Sequence, residues 1–176
     1  QGTLFGKNAA AGAIHLVSKK PEDEFSARVK VGLGNFSQRV VEGMVNVPLN
    51  EDVALRINVL DNQNDGYIRN EFDGNKLADE NNSGATAMLS WQLSEDTDLL
   101  FKLEYANVDQ SAAVDISTLA AKDVYSNSVS LDFTPVETLE LWGTSLTVNS
   151  VLDEYSLTSI SAFKKFESSN LRDQDG

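Results

Sequence analysis

From Phe25 onward, apolar and polar residues alternate with a period of two, which is the pattern of a strand with one face turned to water and one away from it. Phe25, Ala27, Val29, Val31 and Leu33 alternate with Ser26, Arg28, Lys30 and Gly32. Val41, Gly43, Val45, Val47 and Leu49 alternate with Val40, Glu42, Met44 and Asn46, and Val53, Leu55, Ile57 and Val59 with Ala54, Arg56 and Asn58. Two further runs, Ala85–Leu93 and Leu99–Tyr105, follow the same rule. Less regular strands are expected at Trp142–Leu152 and Tyr155–Phe166. In the last of these, Ser159, Ile160 and Ser161 mix both faces, so its sides stay unassigned. Helical spacing is confined to Ile116–Val124, enough for one short helix in a loop.

The connections between these strands are sorted by length. Asn35-Phe36, Asn50-Glu51-Asp52, Ser94-Glu95-Asp96-Thr97 and Asp153-Glu154 are short, whereas Gln63–Asn81 and Asp109–Leu141 are long. After the first hairpin, the short turns fall at one end of the sheet and the long loops at the other. Up-and-down membrane barrels show this asymmetry, and a sandwich has no reason to. The two faces also differ. One is Val, Leu, Ile, Ala and Phe, with Trp91 and Tyr105 near strand ends; the other carries Arg28, Lys30, Glu42, Arg56, Lys102 and Glu104. Lipid outside and a polar, filled lumen inside would need this arrangement, with aromatic side chains at the interfaces. A soluble antiparallel sheet with one wet face remains the alternative reading of the alternation alone.

The chain has 176 residues, the size of one domain. No stretch approaches the ~20 apolar residues of a membrane helix, and a mean hydropathy of −0.27 does not argue against strands that cross a bilayer. The net charge of −13 opposes binding to phosphate backbones, so no nucleic-acid partner is expected. There is no cysteine, hence no disulfide, thiolate nucleophile or Cys-based metal site.

Ahead of the strands, Gln1–Pro21 (QGTLFGKNAAAGAIHLVSKKP) holds Gly2, Gly6 and Gly12 and the run Ala9-Ala10-Ala11. This order resembles the end of the plug domain in TonB-dependent outer-membrane receptors, with Ala11 and His15 standing where that family more often has Gly and Asn. The resemblance continues through Val31-Gly32-Leu33-Gly34-Asn35-Phe36, Val41-Glu42-Gly43 to Pro48-Leu49, Asn64-Asp65-Gly66-Tyr67-Ile68, Gly143-Thr144-Ser145-Leu146-Thr147 and Leu157–Phe163. Each piece is short; their order and spacing along the chain carry the resemblance. It implies an all-β fold in which antiparallel up-and-down strands form part of a large transmembrane β-barrel, preceded by the C-terminal end of a plug. Residues 1–23 would close the plug, and residues 24–176 would supply about seven strands of a barrel that needs about 22 to close around a plug. The piece that contacts TonB would lie before Gln1.

The same resemblance implies energy-coupled uptake of a scarce ligand, most often a ferric siderophore with cobalamin and carbohydrates as alternatives, in the outer membrane of a Gram-negative bacterium, with outer-membrane lipid and TonB as partners and no cofactor. Among loop residues, Tyr67, Arg69, Tyr125 and Arg172 are candidate ligand contacts by residue type; ordinary loop residues are the competing reading.

Other motifs fall short of chemistry. Gly2–Asn8 has three residues between its glycines rather than four and Asn8 where a phosphate loop needs Ser or Thr. Asp61–Gly66 matches part of a calcium loop but places Gln63 and Phe72 at ligand positions. Adventitious binding of calcium by Asp61, Asp65 and Asp73 is the most it suggests. His15 is the sole histidine and has no partner set for a metal. No nucleophile, base and orienting acid are grouped, so no enzyme is expected. Lys102 and Glu104, facing the lumen, could pair with plug charges or with neighbouring strands across the sheet, and the second is the favoured reading.

Overall fold

A computed structural model describes residues 18–112 and 127–172. The alternating runs form strands, ten in all among the described residues, and no helix. They are β1 (Ser26–Leu33), β2 (Arg39–Pro48), β3 (Val53–Asn64), β4 (Ile68–Asn70), β5 (Lys76–Leu77), β6 (Glu80–Ser94), β7 (Thr97–Gln110), β8 (Ser128–Val129), β9 (Val136–Leu152) and β10 (Tyr155–Leu171). Seven of them form one antiparallel sheet in the order β1-β2-β3-β6-β7-β9-β10, so each long strand pairs with the long strand before and after it. No helix among the described residues is long and apolar enough to cross a membrane, a statement that does not bear on strands. The short helix expected at Ile116–Val124, His15 and most of the plug segment lie outside the described residues.

The turns follow from local chemistry. Between β2 and β3 the Asn50 side-chain oxygen accepts from the amides of Asp52 (2.9 Å) and Val53 (2.8 Å), which closes the turn without a glycine. Asp153 adopts a left-handed φ of 53° between β9 and β10, and Phe36 and Ser37 do so in the first hairpin. Between β6 and β7 the register slips at Gln92/Ser94, a bulge at the end of the pair.

The strands run further than the alternation suggests. β3 reaches Asn64 and β6 begins at Glu80, so the expected loop 63–81 shrinks to the stretch from Asp65 to Asp79, and it holds β4 and β5. β9 and β10 likewise extend to Val136 and Leu171. These extra lengths lie where outward positions have turned polar while the backbone ladder continues.

Register assigns every side chain to a face. One row across the sheet reads Ala27, Val45, Ile57, Ala87, Leu103, Thr144 and Phe163. The sides of β10 are thereby settled: Leu157, Ser159, Ser161 and Phe163 share the apolar face, and Ile160, Lys164 and Phe166 the polar one. The apolar face is not covered: Val29 is 74% exposed, Leu103 47% and Phe163 66%. It runs from Trp91, Leu99 and Val148 to Tyr105 and Trp142, whose rings lie 4.4 Å apart. On β9 this band extends from Trp142 to Leu152, within the ~9–11 residues of a strand crossing a bilayer. The next row, Val31, Val41, Asp61, Ser83, Asn107, Glu140 and Glu167, turns polar from β3 onward.

Candidate functional site

Two regions could engage a ligand or partner: the polar face, and a cap built from the connections at the long-loop end. The cap arises because separate loops satisfy one another's backbone. β4 pairs antiparallel with β5 and parallel with β8, forming a small three-stranded sheet from two connections far apart in sequence. Asn70, fully buried, locks them: its amide nitrogen donates to the Leu131 carbonyl and its oxygen accepts from the Leu131 amide, both at 2.9 Å. The amides of Arg69 and Glu71 donate to the carbonyls of Asn127 (2.8 Å) and Val129 (2.7 Å). Leu77, Ala112, Leu131 and Pro135 are buried with Asn70.

A second lock joins the base of the cap to β7. The Ser111 hydroxyl donates to the Asp79 carboxylate at 2.5 Å and accepts from the Ala78 amide at 2.7 Å, while the Ser111 amide donates to Asp79 at 3.1 Å. The first hairpin joins as well, through Asp65 N–H to the Phe36 carbonyl (2.9 Å) and a tilted ring contact between Phe36 and Tyr67. At the base of the cap, on the face that carries the apolar band, lies a polar cleft of about 530 Å³ lined by residues including Arg39, Gln63, Asp65, Asp79 and Asp109. Arg39 is held there by the Gln63 side-chain oxygen.

Of the candidate contacts, Tyr67 and Arg69 stand together on the cap, both exposed. Tyr67 leans on Phe36, and Arg69 lies 3.8 Å from Glu71. Arg172 is elsewhere, at the end of β10, where it donates to Asn170 at 2.9 Å. Tyr125 lies outside the described residues. Asp61, Asp65 and Asp73 form no metal cluster, and no group of three or more His, Asp or Glu suited to a cation occurs among the described residues. Asp73 instead holds the tip of its own loop through the Asn75 amide (2.9 Å) and side chain (2.8 Å). Asn70, Asp79 and Ser111 escaped the sequence reading. They are common polar residues, and only the meeting of distant loops gives them a role.

The polar face is a network with gaps. Glu104 receives Lys102 at 2.7 Å and Lys164 at 2.5 Å, so the expected cross-strand pairing is present and adds a same-strand lysine. Lys30 meets Glu42 at 2.7 Å, Asn58 donates to Thr86 at 3.0 Å, and Asn149 to Asp98 at 2.9 Å. Among the described residues, four buried side-chain atoms nevertheless lack partners: Arg56 Nη1, Asn62 Oδ1, Asn82 Oδ1 and Gln110 Oε1. All four residues lie on the polar face. Native structures rarely leave such groups unsatisfied, so water or another polar group completes the bonding of this face. At its short-turn end, Asn46 already grips backbone: it accepts from Glu22 N–H (3.0 Å) and donates to the carbonyls of Glu22 (2.7 Å) and Glu24 (2.8 Å).

The metal-pseudopaline receptors CntO of Pseudomonas aeruginosa strains PAO1 and UCBPP-PA14 are each 32% identical to the chain over 104 residues. That stretch is 58% of this chain and 14% of each receptor, so the chain spans a small part of their length. No protein-family model matches the chain, and no solved structure does. The chain is thus similar to part of a receptor, and its sheet is that of a β-rich wall.

Proposed function

We propose that the chain closes a plug and begins the barrel of a TonB-dependent outer-membrane receptor that takes up a scarce small ligand. The observation that carries this reading is the division of the sheet: an exposed apolar face, and an opposite face on which, among the described residues, every unpartnered buried side-chain polar atom lies. In a soluble sandwich a second sheet would cover the apolar face. In a barrel wall lipid covers it, and a plug meets the polar face. The Tyr105–Trp142 pair then stands at one membrane interface and Trp91 at the other. The short turns and Asn46, which holds the incoming segment, belong to the periplasmic end. The cap belongs to the outer end, where ligand arrives.

The ligand we assign is a metal chelate, with ferric siderophores the commonest class for the family resembled. The relatives' metal-pseudopaline favours metal-bearing small molecules. The cap binds; TonB pulls on the plug and opens the path; no bond is made or broken, and the protein is a carrier rather than an enzyme.

Fractionation of cells making the full-length protein tests the location, with recovery in the outer membrane expected and recovery in the soluble fraction overturning the reading. Uptake of radiolabelled metal chelates by a strain with and without the gene tests the cargo. Equal uptake of every chelate in both strains would remove the transport assignment.

A further inference from the structure

The polar face changes its chemistry along the strands. The three rows that begin at Ser26, Arg28 and Lys30 carry Arg28, Lys30, Arg56, Lys102 and Lys164 against Glu42 and Glu104. The rows nearer the cap carry Asn62, Asn82, Gln110, Glu80 and Glu137, and neither Lys nor Arg.

That outer part is rich in acceptors and short of donors. Asn62 donates its amide nitrogen to Glu80 at 2.8 Å, and Gln110 donates to Glu137 at 3.2 Å. Each carboxylate thereby fixes which end of the amide is left over, and in both it is the oxygen. Asn62 Oδ1, Gln110 Oε1 and Asn82 Oδ1 are buried and receive no donor among the described residues. No ion pair reaches Glu80 or Glu137 there. These groups lie on the strand ends from which both cap connections spring: β3 ends at Asn64, β6 begins at Glu80, β7 ends at Gln110 and β9 begins at Val136. The cap repeats the bias. Residues 65–79 carry Asp65, Glu71, Asp73 and Asp79 against Arg69 and Lys76, and Arg69 already lies beside Glu71 at 3.8 Å.

We infer that the long-loop end selects cargo by charge: it takes a metal chelate that presents an amine or other positively charged N–H donor, and turns anionic chelates away. On the barrel reading, on which this inference rests, cargo arrives from this end. Water would complete the three oxygens and leave Glu80 and Glu137 without a counter-charge, whereas an ammonium group supplies both donors and charge. A negative entrance also draws cations in and slows anions before any contact is made. A free solute fits this end better than a further stretch of chain, because the incoming backbone is gripped at Asn46, opposite Arg56, and Asn62 lies six residues further along β3, about 20 Å away.

The test reads uptake by cells making the full-length protein against cells lacking the gene. The probes are ferric complexes of a hydroxamate, a catecholate and an aminocarboxylate chelator, each made with a free amine, with that amine acetylated and with it succinylated. The metal-binding atoms stay the same while the end group runs from positive through neutral to negative. In whichever chemistry is taken up, the amine form is expected to exceed the succinylated form ~10-fold at low salt and ~3-fold at about 0.5 M salt. Glu80→Gln combined with Glu137→Gln, which keeps the side-chain shapes, should reduce the low-salt preference to ~2-fold. Glu95→Gln, in the turn at the opposite end, should leave it as it was. A nitroxide in place of Phe72, which is 64% exposed on the cap, gives a reading that needs neither cargo nor the double variant. Its collision rate with aqueous nickel(II) relative to chromium(III) trisoxalate should be ~3-fold above that of the free label. Gene-dependent uptake that ignores end-group charge, an inverted order, a preference that survives the Glu80 and Glu137 exchange, or a nitroxide ratio equal to that of the free label would each overturn the inference and leave the transport reading standing. Uptake of no probe above that of cells lacking the gene would overturn both.

Discussion

Lys164 and Glu104 are joined across a strand that places no side chain between them. Their charged atoms lie 2.5 Å apart, and the residue they straddle on β9 is Gly143, paired with Glu104 on one side and Lys164 on the other. A Cβ on Gly143 would sit 2.5 Å from a Glu104 carboxylate oxygen and 2.6 Å from its Cγ. The glycine therefore makes room for an ion pair that spans three strands.

Gly143→Val should displace the Glu104 side chain and separate it from Lys164. The expected cost is about 1–3 kcal/mol, the range for forcing extra atoms into a filled space. Urea unfolding of the full-length protein in detergent micelles would measure it. Glu104→Gln should cost less than Gly143→Val, because it keeps the shape and weakens only the charge. The reverse ranking would show that the pair, not the space, is what Gly143 protects.

Gly66 has φ of +79°, and a Cβ there would meet the Leu77 carbonyl oxygen at 2.5 Å and the Asp79 nitrogen at 3.0 Å. Both obstacles are backbone and cannot swing aside. Gly66→Ala should therefore open the cap at an expected local cost of ~1–3 kcal/mol while leaving the seven-stranded sheet intact. Limited proteolysis should show new cuts between residues 65 and 79 with an unchanged melting temperature. A lowered melting temperature without new cuts would mean that the strain spreads into the sheet.

Asn70→Leu removes both bonds to Leu131 and leaves that residue's amide and carbonyl without partners in a buried place. The expected loss is about 2–6 kcal/mol, from two orphaned groups at about 1–3 each with little compensation from the added methyls. Amide hydrogen exchange should accelerate at Arg69, Glu71 and Leu131 and stay slow in β6 and β7. Uniform acceleration would show that cap and sheet unfold as one unit.

The cap and the sheet were unequally legible in the sequence for a physical reason. Within the runs Phe25–Leu33, Val41–Leu49, Val53–Val59, Ala85–Leu93 and Leu99–Tyr105 the outward positions are apolar apart from Gly43, so periodicity found five strands and both faces. On β10 it failed, because Ser159 and Ser161 stand on the apolar face while Ile160 and Phe166 stand on the polar one; pairing with β9 decides those sides, not the strand's own pattern. Strand ends were placed short because Asp61, Ser83 and Asn107 are polar where the band stops, although their backbone bonds continue. β4, β5 and β8 have two or three residues each and no periodicity to read. They exist because Asn70 meets Leu131 across a sequence separation of 61 residues. For the same reason Tyr67 and Arg69 could be named by type, whereas the Asp79–Ser111 lock beneath them could not.

Leu103 sits mid-band on the apolar face, and Lys102 beside it points to the other side. Leu103→Arg should cost ~2–4 kcal/mol if lipid covers that face, because the charge would lie near the bilayer midplane. Thr144→Arg, its neighbour in the same row, should behave alike. Arg at Ala106, on the polar face, should be milder. Measuring urea stability in lipid vesicles for all three would settle the orientation. Equal costs on both faces would contradict a lipid-covered face.

The 176-residue chain, taken alone, should not behave as a soluble domain. Its sheet ends in β1 and β10, both with an unpaired edge, and β10 is exposed along its whole length. Such edges template pairing with other chains. The face bearing Val29, Leu103, Trp142 and Phe163 adds an apolar surface larger than monomers normally leave in water. Edge pairing and apolar contact act together, since strands added at β10 would extend the same apolar face. Light scattering coupled to size-exclusion chromatography should therefore show large or mixed species in plain buffer and a defined particle only with detergent. Substituting Lys for Leu157 and Phe163, both on the apolar face of the edge strand, should slow aggregation without giving a cooperative thermal transition. A monodisperse monomer with a sharp melt in plain buffer would mean that the chain covers its apolar face by itself, and the barrel-wall assignment would fall with that result.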